Sequence, residues 1–167
     1  MDEDSIRVRA AKAADLSEIT RIYNQGIEDR VATLESAPKD EAEVREALEK
    51  RKPRYEFVVA ERGAQILGWA SLNPYSHRCA YDGVADLSVY VERSARGTGV
   101  GSLLLEKLEG RARAQGFHKI VLFTFPFNVA GQALYRKLGF REVGVFREQG
   151  HLDGRYIDVM AMEKILD

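Results

Sequence analysis

The sequence is poor in the residues that tie small folds together covalently or through a metal. Cys79 is the only cysteine among 167 residues, so an internal disulfide is impossible. The histidines, His77, His118 and His151, stand far apart without metal-ligand spacing. Charge of one sign is also missing: 25 basic residues nearly cancel 26 acidic ones, leaving a formal charge of -1. Such a balance gives no electrostatic footprint for DNA or RNA. No segment approaches membrane-spanning length, and the opening MDEDSIRVR lacks the apolar core of a signal peptide. These absences lead to the expectation of one cytoplasmic domain over residues 1–167, with no structural metal, nucleic-acid partner or membrane anchor. The hydrophobic fraction of 45% is ordinary for a globular chain and argues against disorder.

What is present reads as alternating strands and helices. Ile6 to Ala11 alternates apolar and charged residues, as a half-buried strand does. Leu16, Ile19, Ile22 and Tyr23 share one helical face. A more polar helix follows from Asp40 to Lys50 and is broken at Pro53. EFVVAE and ILGWASL flank RGAQ, a hairpin pattern between residues 56 and 72. The loop NPYSHRCAYDG leads into the strand VADLSVYV, and a glycine-rich loop then opens a helix ending near Gln115 and Gly116. KIVLFTF is a buried strand, Asn128 can cap a helix reaching Leu138, and REVGVF and RYIDVMAMEKIL are the closing strands, separated by HLDG. The order β-α-α-β-β-β-α-β-α-β-β implies an α+β fold: a mixed, mostly antiparallel twisted sheet flanked by helices on both faces. A doubly wound parallel sheet would alternate strand and helix throughout.

Chemistry concentrates at Arg96-Gly97-Thr98-Gly99-Val100-Gly101-Ser102, between a strand and a helix. Three glycines let successive backbone N–H groups converge on one anion, and the helix adds free donors and the positive end of its dipole. A phosphate or pyrophosphate suits that arrangement, with Arg96 and Arg93 as additional cationic partners. The other reading is a glycine-eased turn without a ligand. A P-loop is excluded because no lysine precedes Ser102, and the spacing G-x-G-x-G differs from a dinucleotide fingerprint.

Arg96-x-x-Gly99-x-Gly101 resembles the Q/R-x-x-G-x-G/A loop of the GNAT superfamily, the acetyl-CoA-dependent N-acetyltransferases. Asn128 followed by ALYRKLGF (133–140) looks like that family's second cofactor segment. The two motifs stand about thirty residues apart in the family's order, and the element order extends the resemblance over nearly the whole chain. The resemblance implies acetyl-CoA as co-substrate, with its pyrophosphate on residues 96–102 and its pantetheine arm beside Val89, Tyr90 and Val91 and near Asn128. IYNQGIEDRVATLE, AYDGVADLSVYV and DGRYIDV make the chain similar to the phosphinothricin acetyltransferase branch. There the place of Asp86 holds an acidic residue, usually glutamate, that is the proposed general base; here it is one methylene shorter. Tyr135 occupies the position from which many superfamily members protonate the departing CoA sulfur, although the branch often carries histidine there. Without the resemblance, Asp86 reads as a solvated carboxylate at a strand end and Tyr135 as a packing aromatic.

The branch implies a small zwitterionic acceptor of the phosphinothricin, methionine sulfoximine or arsinothricin type, and often a homodimer. Cationic and aromatic walls for such an acceptor are sought in Arg78, Tyr81 and Tyr156, with Arg30, Arg155, His77 and His151 nearby in the same loops. Other acceptors remain open, namely a polyamine, an aminoglycoside or a protein N-terminus, as does a non-catalytic acyl-CoA-binding module.

Overall fold

Amphipathic periodicity decides which elements form, and the two faces of one sheet decide where they pack. A computed structural model of the protein describes residues 4–167. Its strands are β1 (Ile6–Ala10), β2 (Phe57–Arg62), β3 (Gln65–Pro74), β4 (Val84–Val91), β5 (Lys119–Thr124), β6 (Arg141–Leu152) and β7 (Arg155–Ile165). The helices are α1 (Leu16–Asp29), α2 (Glu41–Glu49), α3 (Val100–Ala114) and α4 (Val129–Lys137). The strands form one seven-stranded sheet in the order β1-β2-β3-β4-β5-β7-β6. Every pairing is antiparallel except β4 with β5. This is the mixed sheet with helices on both faces that the element order implies.

Alternation along the strands builds two cores. Val58, Ala60, Ala70, Leu72, Ala85 and Leu87 face α3, whose Val100, Leu104 and Leu108 are all but sealed from water. Leu134 of α4 and Leu138, just beyond its end, pack on the same side. Val59 and Trp69 point the other way, against Leu16, Ile19 and Ile22 of α1 and Val44 of α2. Caps fix where the helices begin: the Asp40 side chain accepts from the Glu43 N–H at 2.8 Å, and Asn128 accepts from the Gly131 N–H at 3.1 Å.

The closing hairpin differs from the sequence expectation. The strand REVGVF does not stop at Phe146 but continues to Leu152 across two irregularities of register. At the second, Glu148 adopts φ 52 and its N–H is held by Asp158 Oδ1 at 2.7 Å. A side-chain acceptor on the neighbouring strand stands in for the missing ladder partner, so pairing resumes beyond the bulge. The turn contracts to Asp153-Gly154, both with positive φ.

Candidate active site

β4 is paired along its full length with β3, from Pro74↔Ala85 to Gly68↔Val91. On its other side it meets β5 only at Val84, Ala85 and Asp86. The two parallel strands then diverge, so the backbone of Leu87–Val91 loses a partner on that edge. Backbone N–H and C=O groups must find partners somewhere. An open sheet edge of this kind accepts an extended chain-like ligand by strand addition. The resulting cleft encloses about 620 Å³ and is lined by β4 from Asp86 to Val91, by Phe123 and Phe125, by Asn128 and Gly131 at the start of α4, and by Leu134 and Tyr135.

Arg96 carries the cleft to the edge of the glycine loop, whose residues 97–102 do not themselves line it. Gly97 (φ 75) and Gly99 (φ 93) hold left-handed backbone that a side chain disfavours, and space beside both is open. Gly101 is needed for a different reason: a Cβ there would lie 3.0 Å from Leu134 Cδ2, where α3 approaches α4. The loop therefore presents the unpaired N-terminal donors of α3 without side chains in front of them. The arginines behave differently from the sequence reading. Arg93 pairs with Asp29 at 2.8 Å and Glu28 at 3.1 Å, and does not line the cleft. Arg96 lines the cleft but also pairs with Asp29 at 2.6 Å. Both tie the loop to the end of α1. Glu92, buried just before the loop, strengthens the tie by accepting from Gln25 at 3.1 Å and Arg21 at 3.3 Å. Hydrogen bonds from Ser94 and Gln25 draw its carboxyl down to about 2.

At the other end, where β4 leaves β5, lies Asp86. Burial pushes its carboxyl up to about 6, against the opposing pull of hydrogen bonds from Asn73 and the Leu87 backbone. Asn73 Nδ2 donates to Asp86 Oδ2 at 3.3 Å and to Ser88 Oγ at 3.0 Å. Tyr135 is half-buried on α4 within the same cleft, and burial pushes its phenol up to about 12. Asn128 turns its Oδ1 to the α4 cap and donates from Nδ2 to Thr124 Oγ1 at 3.1 Å. Asp86, Val89, Tyr90, Val91, Arg96, Asn128 and Tyr135 thus share one cavity.

The sequence-predicted acceptor residues do not. Arg78 and Tyr81 are exposed in the β3–β4 connection, where Tyr81 leans on Tyr75 with ring centroids 6.0 Å apart. Tyr156 is 68% exposed on β7, edge-on to His151. None of the three lines the cleft of this chain. The cleft is instead lined there by Tyr23, Gly26 and the 31–34 segment after α1. Tyr90 clusters with Tyr23 and Trp69, ring centroids 5.0 and 4.7 Å away, and the space for its ring exists because residue 26 is glycine, whose Cβ would sit 2.7 Å from it. Sequence reasoning also passes over Asn73, although Ser71 and Asn73, spaced by two in an otherwise apolar strand, are a legible sign of a half-buried polar row.

Among the described residues no cluster of three or more acidic, histidine or cysteine side chains could hold a metal, and no helix is long and apolar enough to cross a membrane.

Known proteins share this arrangement. Residues 18–140 match the profile of the Acetyltransferase (GNAT) family. The chain is 35% identical to an L-methionine sulfoximine/L-methionine sulfone acetyltransferase of Pseudomonas paraeruginosa, over 98% of this chain and 96% of that one. Among solved structures it superposes on a phosphinothricin acetyltransferase from Sinorhizobium meliloti in complex with acetyl-CoA (TM-score 0.89, 36% identity, 96% of this chain and 88% of that one). A ribosomal-protein-alanine N-acetyltransferase from Brucella melitensis gives a TM-score of 0.92 at 35% identity, covering 96% and 99% of the two chains. The glycine-rich loop at 97–101 and the unpaired edge of β4 fit the pyrophosphate and the extended arm of acetyl-CoA, the acetyl donor of these enzymes. The chain belongs to the Acetyltransferase (GNAT) family and is an acetyl-CoA-dependent acetyltransferase.

Proposed function

We propose that the protein acetylates the primary amine of a small amino-acid-like compound of the methionine sulfoximine, phosphinothricin or arsinothricin type. The activities named for its relatives from Pseudomonas and Sinorhizobium support that acceptor class. One observation carries the chemistry: a half-buried carboxylate, Asp86, stands at the foot of the β4–β5 wedge, in the cavity that Arg96 at the head of the glycine loop also lines.

The acetyl thioester supplies an electrophilic carbonyl and a thiolate leaving group. Residues 97–102 and Arg96 hold its pyrophosphate, and the β4 edge from Val89 to Val91 with Asn128 holds the extended arm. An alkylammonium cannot attack until it loses a proton, and Asp86 takes that proton at its carboxylate, directly or through one water. A carboxyl near 6 is mostly ionised at neutral pH yet basic enough to accept a proton, which an ordinary aspartate near 3.8 does poorly. Backbone N–H groups on β4 around Val89 donate to the carbonyl oxygen as charge builds on it. Tyr135, fully protonated at neutral pH, holds its Oη proton for the departing sulfur.

Acetylation removes the ammonium charge that makes such compounds resemble amino acids, so the activity serves resistance to them. The enzyme acts in the cytoplasm, where acetyl-CoA is available. Val143, Val145 and Phe146, exposed along edge strand β6, support assembly with a second copy. The likeness to the Brucella ribosomal-protein-alanine enzyme favours a peptide N-terminus as the second acceptor reading. Thiol release from acetyl-CoA, measured across methionine sulfoximine, phosphinothricin, polyamines, aminoglycosides and an alanine-initiated peptide, tests the assignment. Turnover is expected to be fastest with the first two. Saturable activity on the peptide alone overturns the small-molecule assignment, and none on any amine points to a binding module.

A further inference from the structure

Behind Asp86, on the α1–α2 face of the sheet, a row of polar side chains stands where packing would favour apolar ones, Ser71 buried and the others half-buried. Ser71 and Asn73 of β3 stand opposite Ser88 and Asp86 of β4 in the register. Arg51, just after α2, reaches into this row. Its guanidinium lies 5.2 Å over the Phe57 ring and donates to the Leu72 carbonyl. Nη1 and Nη2 both reach Asn73 Oδ1, each at 3.2 Å. Ser71 Oγ donates to the same oxygen at 3.0 Å. Asn73 Oδ1 is thereby occupied by donors only, which fixes the amide so that Nδ2 points at Asp86 and Ser88.

The position of Arg51 is costly. Burial lowers its tendency to hold a proton, its Nε is buried without a hydrogen-bond partner, and no ion pair to it is seen among the described residues. A half-buried cation without a counter-charge gives up part of its hydration, and an anion within reach of its hydrogen bonds offsets that loss. The carboxylate that its hydrogen bonds reach, one amide away, is Asp86.

We infer that Arg51 is a positioning residue: through the locked Asn73 amide it forms a relayed ion pair with Asp86, fixing that carboxylate's orientation and favouring its ionised form. The inference rests on Asp86 serving as the base. It assigns distinct tasks to the two ends of the amide: Oδ1 reads the half-buried cation, and Nδ2 hands its polarity to the carboxylate. Other groups around Asp86 are Tyr23 of α1, Lys39 and Glu43, which with Arg51, Asn73 and Ser88 line a cavity of about 330 Å³, and Tyr90, Tyr135 and Arg96 in the main cleft. None of these bonds to Asn73, so the relay predicts an effect at Arg51 that the other cations do not share.

The test compares Arg51→Met, Arg51→Lys and Asn73→Ser with the parent in the pH profile of kcat/KM and in thermal unfolding with and without acetyl-CoA. Arg51→Met and Asn73→Ser should each move the ascending limb upward by on the order of one pH unit, because each removes support for the ionised carboxylate. Arg51→Lys should restore part of the shift, and stabilisation by acetyl-CoA should be unchanged throughout. A loss of activity that is uniform with pH, or an unmoved limb, overturns the relay. If Arg51→Met fails to fold, Arg51→Lys and Asn73→Ser still read the limb. A stability cycle of Asp86→Asn and Arg51→Lys gives a readout without turnover: the two substitutions should be non-additive. Additivity in that cycle sinks the relay while leaving the base assignment standing, whereas an Asp86→Asn enzyme at full turnover sinks the base assignment itself.

Discussion

The donor end and the acceptor end of the cleft are built by opposite means. The proposed donor end is backbone: Gly97, Gly99 and Gly101 remove three side chains from a seven-residue stretch, and the groups it offers are N–H donors that any residue carries. The acceptor end is side chains brought from far apart in sequence. Asp86 comes from β4 and Tyr23 from α1, while behind Asp86, outside the cleft lining, Asn73 comes from β3 and Arg51 from the segment after α2. A donor shared by relatives is met by fixed backbone geometry, whereas an acceptor that differs among relatives is met by parts that can be exchanged singly. Single substitutions can therefore separate the two ends, most sharply at the half-buried carboxylate.

Asp86→Asn should have the largest effect. If the carboxylate removes the acceptor's proton, kcat/KM falls by about 10²- to 10⁴-fold with KM for acetyl-CoA nearly unchanged. The parent's pH profile carries the same information. Burial raises the Asp86 carboxyl to about 6, so the active ionised form is lost as pH falls through 6 and is complete above 7. Tyr135, raised to about 12, keeps its proton throughout. The profile should therefore rise through pH 6 and show no falling limb before pH 9. An Asp86→Asn enzyme that retains both rate and limb would detach the acceptor chemistry from this carboxylate.

Gly99→Val presses on the donor end and should come second. Gly99 has φ 93 with nothing within 4 Å of a built Cβ, so the penalty is backbone strain rather than a clash. A β-branched residue there costs about 1–2 kcal/mol; the free loop relaxes out of the left-handed conformation and must be forced back on binding, which weakens acetyl-CoA binding by roughly tenfold and leaves the acceptor KM alone. Equal damage to both constants, measured by varying each substrate in turn, would mean that the two ends are not separable. Tyr135→Phe follows, with a fall in kcat if its hydroxyl supplies the proton; an unchanged kcat would reduce Tyr135 to packing against Phe140, 6.1 Å away.

The same contrast explains which parts of the molecule are legible in the sequence. The loop at 96–102 and the helix capped by Asn128 are contiguous, so their chemistry is printed in order along the chain. The two cores are legible for a similar reason, since alternation in FVVAER and a helical stripe at Leu16, Ile19 and Ile22 are local patterns. Arg78, Tyr81 and Tyr156 suit acceptor walls by residue type and loop position, yet they stand outside the cleft. Which loops face one another depends on the parallel β4–β5 pairing and its early divergence, and no local pattern encodes that. The bulge at 147–149 is hidden too, because a side chain ten residues away, Asp158, stabilises it.

Residue type by itself does not identify a working glycine, and Gly110 makes the point with the smallest effect. It lies in α3, the helix that begins at the donor loop, yet it is exposed and a Cβ there would meet nothing within 4 Å. Nothing about its helical backbone requires the absence of a side chain. Gly110→Ala should therefore stabilise the fold by about 0.5–1 kcal/mol, raising Tm by roughly 1–4 °C. Both Michaelis constants should stay within about twofold, because the position is exposed and makes no contact with the cleft. The comparison with Gly99 is then internal to one strand-loop-helix unit: one glycine whose replacement harms donor binding and one whose replacement helps the fold. If Gly110→Ala also weakens acetyl-CoA, the loop's hold on the pyrophosphate depends on flexibility along α3 and not on the three glycines alone.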